Sequence, residues 1–380
     1  MNGHDVGRRR LWAHVALGVL LVLIGERLLR AGFAASAGDS AFAALDGAAS
    51  PVVGLLIGIV ATALIQSSTV VTTTVVTLVA TGLPMDVAIA AVIGANIGTT
   101  VTGHVVALTF CINRTRLAPA FAVSSTHSLF NLGLAAVLIP LEWTTGLLNR
   151  TAGYLAPAFS GFGWQPATLD VLGVATRTLS HLTRAGFASM GLPPGLVGVF
   201  QALTGGACLI LGLAYATHLL KQAFVGRADT TLASVLGRSA PRGMLHGALI
   251  TAALRSSSAV TSLLVMGAAG GVTDARRAYA FIIGANLGTT LSALLGALAF
   301  SGLDAELAAR VAIVHAMFNG LGALIALLML ATSTTGRWAF APATAGIWLG
   351  RQAARCPTCA VLAIPILFCG VPYILLTVFN

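Results

Sequence analysis

The chain has 380 residues, of which 57% are hydrophobic and only 8% charged, with a mean hydropathy of +0.92. A soluble domain carries about 25% charged residues, so this composition excludes an ordinary soluble protein; the length suits a bundle of roughly eight to twelve membrane segments of about 20 residues each. The net charge of +10 does not indicate nucleic-acid binding, because no basic stretch is interleaved with aromatics and the positive residues sit in short segments between apolar runs.

Those basic segments are Arg8-Arg9-Arg10, Arg114 with Arg116, Lys221 with Arg227, Arg238 with Arg242, Arg276-Arg277, and Arg351 with Arg355. By the positive-inside rule they put the N-terminus in the cytoplasm. Leu11–Leu29 has the basic start and apolar core of a secretion signal. Glu26, Arg27 and Arg30 stand at its end without a small-residue cleavage site, so it reads as a retained first helix. A polar segment with Asp39 and Asp46 follows, and Pro51 opens the apolar run Val52–Ile65. Ser67–Thr81 stays apolar but is dotted with threonines at 69, 72, 73, 74 and 77. Single hydroxyls of this kind in membrane helices mostly bond their own helix or a neighbour.

Gly82-Leu83-Pro84 is a turn signal, and Asp86 is predicted to cap the next helix. That helix meets Gly94-Ala95-Asn96-Ile97-Gly98, where paired glycines predict a break. Val101–Ile112, a basic loop and Leu117–Leu141 follow. Residues 142–195 are the least apolar and read as a solvent-side connection with amphipathic pieces at the interface. Asn149-Arg150-Thr151 in this region is a glycosylation tripeptide, without meaning in a prokaryote.

The second half begins with Leu196–Leu220 and continues through Gly243–Leu254 and Val260–Val272. Asp274 opens the next helix as Asp86 does, and Gly284–Thr290 repeats the glycine break. Leu307–Leu330 matches Leu117–Leu141, Trp338–Arg355 reads as interfacial, and Ala360–Phe379 as a final span. Cys356-Pro-Thr-Cys359 has redox or metal spacing, but no second pair or nearby His completes a zinc set.

Two stretches nearly repeat each other. Gln66-Ser67-Ser68-Thr69 leads to Gly94-Ala95-Asn96-Ile97-Gly98-Thr99-Thr100; Arg255-Ser256-Ser257-Ser258 leads to Gly284-Ala285-Asn286-Leu287-Gly288-Thr289-Thr290. His127-Ser-Leu-Phe-Asn131 is mirrored by His315-Ala-Met-Phe-Asn319. Three blocks in one order at nearly the same spacing divide the chain into an N-terminal segment (1–49), a first repeat (50–141), a connecting region (142–242), a second repeat (243–331) and a C-terminal segment (332–380). One strong span, Leu196–Leu220, separates the repeats, which predicts that the second is inverted. Inverted repeats place a binding site near the bilayer midplane.

Irregular backbone within a bilayer is tolerated where it lines a cavity. Helix N-termini suit an oxyanion, free carbonyls suit sodium, and Ser and Thr hydroxyls serve either role. The paired hydroxyl triplets and Asn96 and Asn286 are therefore site candidates, whereas His127 and His315 read as structural. Arg255 stands where the first repeat has Gln66. A charge in a membrane segment is functional by default; it either faces the cavity and binds an anion or snorkels from a helix end.

These motifs resemble the type II sodium/phosphate cotransporter family, over about residues 50–141 and 243–331. The resemblance implies an all-α polytopic membrane protein, with two inverted repeats whose re-entrant helical hairpins meet at a midplane site. It implies sodium-coupled movement of inorganic phosphate by alternating access, with sodium as coupling ion and no other cofactor. By position, Gln66, Ser67, Ser68, Thr69, Ser256, Ser257 and Ser258 would surround substrate and sodium, and Asn96, Thr99, Thr100, Asn286, Thr289 and Thr290 would form the facing wall. Thr69 in place of Ser keeps the hydroxyl. Arg255 in place of Gln adds a fixed charge, which bears on sodium stoichiometry and substrate identity.

The expected setting is a bacterial inner membrane, with phosphate or a phosphate-like anion, sodium and lipid as partners. A carrier or exporter for an organophosphate, phosphonate or other oxyanion is the nearest rival. An intramembrane Ser/His hydrolase is the remote one: no Gly-x-Ser-x-Gly elbow stands near the triplets, and a single asymmetric Ser–His contact would be its mark.

Overall fold

The computed structural model describes residues 50–160, 171–224, 239–254, 256–297, 303–332 and 340–379, with scattered positions between 13 and 36. The predicted first helix lies largely outside the described residues. Among the described residues the regular structure is all helical. Among the described residues four helical stretches, Met85–Leu108, Arg114–Thr145, Ala305–Thr332 and Pro357–Thr377, are long and apolar enough to cross a membrane.

Helix α1 (Pro51–Ile65) starts where Ser50 accepts Val53 N–H on its hydroxyl at 3.3 Å, with Pro51 in the first turn. It stops at Gln66, which has φ 58° and is, among the described residues, the one non-glycine with positive φ. Ser67 then returns to extended backbone and its hydroxyl caps α2 (Ser68–Thr81) by accepting Val70 N–H. The second triplet does the same. After α9 (Ala240–Leu254), Ser256 caps α10 (Ser257–Ala269) by accepting Ala259 N–H at 3.1 Å. The first serine of each triplet is thus a helix cap inside an apolar chain.

Each apolar helix before a triplet packs on the helix that carries the Gly-Ala-Asn segment: α1 on α3 (Met85–Gly98), and α9 on α11 (Ala275–Ala297). A methyl group on Gly94 would collide with the Leu55 carbonyl, and one on Gly284 with the Met244 carbonyl. These glycines serve close approach. The predicted break occurs only in the first copy, where Thr99 and Thr100 separate α3 from α4 (Val101–Leu108); α11 runs straight through Gly284 and Gly288. The reading of glycine as a helix interrupter is corrected by backbone-to-backbone packing, which holds the chain helical.

Asp86 is also corrected. Pro84 occupies the capping position of α3, while Asp86 lies in the first turn and accepts Val87 N–H at 2.9 Å. Asp274 does cap, accepting Arg276 and Arg277 N–H at 2.9 and 3.0 Å. Helix α5 (Arg114–Thr145) ends at Gly146, and the buried Glu142 turns both carboxylate oxygens onto the N–H groups of Leu148 and Asn149, opening α6 (Leu147–Ser160). Helix α6 is amphipathic, burying Leu148, Ala152 and Ala156 and exposing Tyr154. Helices α7 (Val171–Ala188) and α8 (Pro194–Phe224) follow.

Helix α12 (Leu303–Thr332) runs beside α11 and α6. Helix α13 (Ala341–Arg355) is amphipathic as read, but its buried face lies tightly on α5, with Gly346 and Gly350 against the Ala122 and Ala118 carbonyls. Cys356 and Cys359 form a disulfide at the start of α14 (Pro357–Pro365), which passes through a π turn at Ile366–Gly370 into α15 (Val371–Phe379).

Gly94→Ala and Gly284→Ala should each lower stability by about 1–3 kcal/mol through overpacking. Gly133, which has open space around its Cβ position, should gain up to about 1 kcal/mol on change to Ala. Thermal unfolding in detergent reads both; equal effects at the three positions would sink the close-approach account.

Candidate functional site

The polar residues of the two repeats meet by crossing over. Helix α10, which carries the second triplet, packs on α4 and α5 of the first half; α2, which carries the first, packs on α11 and α12 of the second. The hydrogen bonds cross as well. Asn96 on α3 gives its amide N–H to the Val92 carbonyl at 2.9 Å, so its Oδ1 accepts, taking bonds from His315 Nε2 at 3.1 Å and Asn319 Nδ2 at 3.2 Å. Asn286 on α11 donates to Asn131 Oδ1 at 2.8 Å and accepts from His127 Nε2 at 2.9 Å. Asn131 in turn donates to the Asn96 carbonyl at 2.8 Å. Each Gly-Ala-Asn asparagine is held by the His–Asn pair of the opposite half.

This geometry fixes the histidines. Both ring Nε2 atoms donate, which makes each Nδ1 an acceptor, and both Nδ1 atoms are buried without a hydrogen-bond partner. His127 and His315 are 1% and 0% exposed. Their structural reading therefore gains a specific content: they tie one half to the other.

Gln66 is buried, and its left-handed backbone turns its amide back on the helix. Nε2 donates to the Ala63 carbonyl and Oε1 accepts from Thr102 on α4. Ser67, Ser68, Ser256, Ser257 and Ser258 are all buried. Thr99 and Thr289 donate to the Ala95 and Ala285 carbonyls, and Thr100 and Thr290 to the Ile97 and Leu287 carbonyls. These four threonines bond their own helices and keep lone pairs for another partner; Ser128 already donates to Thr100 Oγ1 at 2.8 Å. Thr74 likewise bonds the Val70 carbonyl of its own helix. The side chain of Thr69 and the whole of Arg255 lie outside the described residues.

Several participants escaped the sequence reading. Thr62 and Thr251 stand four residues before Gln66 and Arg255, against Gly98 and Gly288, and both hydroxyls are buried without a partner. Their equal offset from the two motifs was the signal. Thr102 has a hydroxyl counterpart in the sequence, Ser292 at the same offset from Asn286, which was its signal; Ser128 stands opposite Ala316 and left none. Arg310 is a charge within the span Ala305–Thr332, partly buried, with Nη2 donating to Asn149 Oδ1 at 2.5 Å. That bond occupies the asparagine of the glycosylation tripeptide.

Apart from Glu142, the buried polar side chains among the described residues are Ser, Thr, Asn, Gln and His. The described part of the centre is a field of neutral donors and acceptors. A Ser–His contact does occur, between Ser125 Oγ and His104 Nε2, but at 3.5 Å. That exceeds the roughly 2.6–3.2 Å reach of a nucleophile and its base.

The Na+/Pi-cotransporter family model matches residues 21–172 and 208–351. The sodium-dependent phosphate transport protein 2A of Rattus norvegicus is 29% identical over 393 residues, covering 85% of this chain and 60% of the relative. The Mus musculus protein 2A is 30% identical with the same coverage. The Homo sapiens protein 2B is 26% identical over 365 residues, covering 73% of this chain and 52% of the relative. The chain thus spans about half to three fifths of these relatives' length. No solved structure matches it.

Asn96→Ala and His315→Ala should each lower stability by about 1–2 kcal/mol, the scale of buried polar bonds between membrane helices. The double variant should lose less than the sum, since both remove one interaction. Strictly additive losses in thermal unfolding would mean that the two side chains do not bond.

Proposed function

The chain belongs to the Na+/Pi-cotransporter family, and from that premise we propose that it is a secondary transporter moving inorganic phosphate with sodium by alternating access. The membrane is a bacterial inner membrane with the N-terminus in the cytoplasm. Residues 50–141 and 243–331 are inverted repeats, and α1–α2 and α9–α10 are re-entrant hairpins whose tips, at Gln66–Ser68 and at Arg255–Ser258, lie near the midplane. The observation that carries this reading is the reciprocal pairing of Asn96 with His315 and Asn319, and of Asn286 with His127 and Asn131. It supports two equivalent halves closed around one centre.

The neutrality of that centre supports co-transport over anion transport alone. An oxyanion in a low-dielectric site needs compensating charge, and the described buried side chains around the centre supply none. Sodium bound with the anion supplies it. The hydroxyls of Ser67, Ser68, Thr69, Ser256, Ser257 and Ser258, with Gln66, surround the cargo. Asn96, Thr99, Thr100, Asn286, Thr289 and Thr290 form the wall behind it, their helices held in place by the crossed bonds.

Arg255 favours a second reading, a carrier for an organophosphate, phosphonate or other oxyanion with altered sodium coupling. A fixed guanidinium beside the hydroxyls takes over part of the charge that sodium supplies elsewhere in the site. Like charges at contact distance repel by about 4 kcal/mol at an effective dielectric of 20, enough to displace one cation.

Labelled-phosphate uptake by proteoliposomes, with and without an inward sodium gradient, tests both. Phosphate uptake that rises with sodium supports the first reading. Ser67→Ala and Ser256→Ala should each weaken it by about tenfold or more, the loss of one hydrogen bond to a charged group. Arg255→Gln should raise sodium dependence or shift anion preference. Uptake indifferent to sodium removes the coupling, and no phosphate movement in either direction removes the substrate.

A further inference from the structure

Cys356 and Cys359 are bridged at the elbow where α13 ends and α14 begins. The packing of α13 fixes where that elbow lies. Gly346 sits against Ala122 and Thr126 of α5, and Gly350 against Ala118 and Ala122, so the two helices run antiparallel. Another five residues, about 7.5 Å of rise, bring Arg355 level with the first turn of α5. The exposed Arg114, Arg116, Arg351 and Arg355 therefore stand at one end of the molecule. Helix α5 carries Glu142 toward its other end, in a cavity shared with Asp86 and Arg150. By the positive-inside rule the arginine-rich end is the cytoplasmic one, which places the bridge at the cytoplasmic face.

A bridge between residues three apart closes a loop too short to restrain the unfolded chain strongly. Cytoplasmic thiols are kept reduced, and the disulfides that do form among them are transient ones that exchange. The two sulfurs here are not equivalent. Cys356 is half-buried at the N-cap of α14, and its Sγ accepts the Cys359 N–H at 3.3 Å. A helix N-terminus and a neighbouring arginine favour a thiolate, and Arg355 directly precedes Cys356. Cys359, one turn on, is exposed. The accessible sulfur is the one open to attack, and the stabilised one is the better leaving group.

We propose that Cys356-Pro-Thr-Cys359 is a thiol–disulfide exchange site whose partner is a cytoplasmic protein dithiol. The partner's thiolate attacks Cys359 Sγ. The Cys356–Cys359 bond breaks as a partner–Cys359 bond forms, and its electron pair leaves on Cys356 as thiolate. The partner's second thiolate then attacks its own sulfur in the mixed disulfide and releases Cys359. The partner departs as a disulfide, and its two electrons and two protons end on the two cysteines. The reverse exchange, with an oxidised partner, remakes the bridge. The site lies outside the duplicated motifs and its chemistry needs no phosphate or sodium; only the side of the membrane rests on the proposed orientation.

The test uses the full chain with its three other cysteines, Cys111, Cys208 and Cys369, changed to serine, in inside-out and right-side-out membrane vesicles. After oxidation by glutathione disulfide, thioredoxin is added with its reductase and NADPH. The reaction is quenched with acid, and a maleimide carrying polyethylene glycol counts free thiols in denaturing detergent. The count should rise from none to two per chain in inside-out vesicles alone. In the chain with all five cysteines it should rise from three to five, which guards against a replacement that misfolds. A thioredoxin whose resolving cysteine is serine should be trapped on the protein, and peptide mapping should find it on Cys359. Two free thiols after oxidation, or a bridge that thioredoxin opens only once the chain is unfolded, overturns the exchange site. Opening in right-side-out vesicles alone overturns the cytoplasmic partner, and trapping on Cys356 overturns the assigned attack. None of these readouts depends on transport, so a chain that moves no phosphate would still give them.

Discussion

The structure depends on two asparagines being held by the wrong half of the chain. In the sequence, Asn96 belongs with His127 and Asn131, and Asn286 with His315 and Asn319. In space the partners are exchanged. Neither half satisfies its own asparagine fully, because Asn96 uses its amide N–H on Val92 and leaves its carbonyl oxygen to the opposite helix. A buried amide without a partner costs on the order of 1–3 kcal/mol, and in lipid no water replaces it. Docking the halves is therefore what completes each one. The same exchange sends α10 onto α4 and α5 and α2 onto α11 and α12, in addition to the contacts each makes within its own half.

From this frame follows the character of the polar centre. The crossed bonds use uncharged groups, and the surrounding hydroxyls are uncharged too. Glycines at 94 and 284 bring two backbones together where any side chain would hold them apart, which sets the positions of Asn96 and Asn286 two residues on. Neutral, closely packed groups such as those described bind charge weakly when it is alone and better when it arrives as a compensated pair. For the proposed co-transport, this is the physical argument that pairs an anion with a cation.

Much of this was legible in the sequence because repetition exposes it. The triplets, the Gly-Ala-Asn segments and the His–Asn pairs each occur in duplicate, and duplication separates a designed polar residue from a scattered one. The capping role of Ser67 and Ser256 was less visible, since a serine inside an apolar run gives no helix boundary by periodicity alone. Glycine was misread for a similar reason. Gly94 and Gly284 look alike whether they break a helix or let another helix approach, and only the neighbouring carbonyl decides. The exchange of partners left no trace in the order of residues, because each block fits its own half as well as the other. Single-copy residues such as Ser128, Glu142 and Arg310 were invisible to an internal comparison, though Arg310 stands out as a charge within a span.

Those single-copy residues matter because they break the symmetry. Two identical halves related by inversion would give inward- and outward-facing arrangements of equal energy, and the resting protein would populate both alike. Glu142 braces the start of α6, and Arg310 links α12 to Asn149 on that helix. At the homologous positions of the opposite repeat stand Leu330 and Ala122, neither of which can make such a bond. A difference of about 1.4 kcal/mol between two arrangements already shifts their ratio tenfold. Glu142 and Arg310 thus supply, at one end of the molecule, bonds that the duplicated motifs do not. In the sequence Arg255 adds the same kind of asymmetry, standing where the first repeat has Gln66.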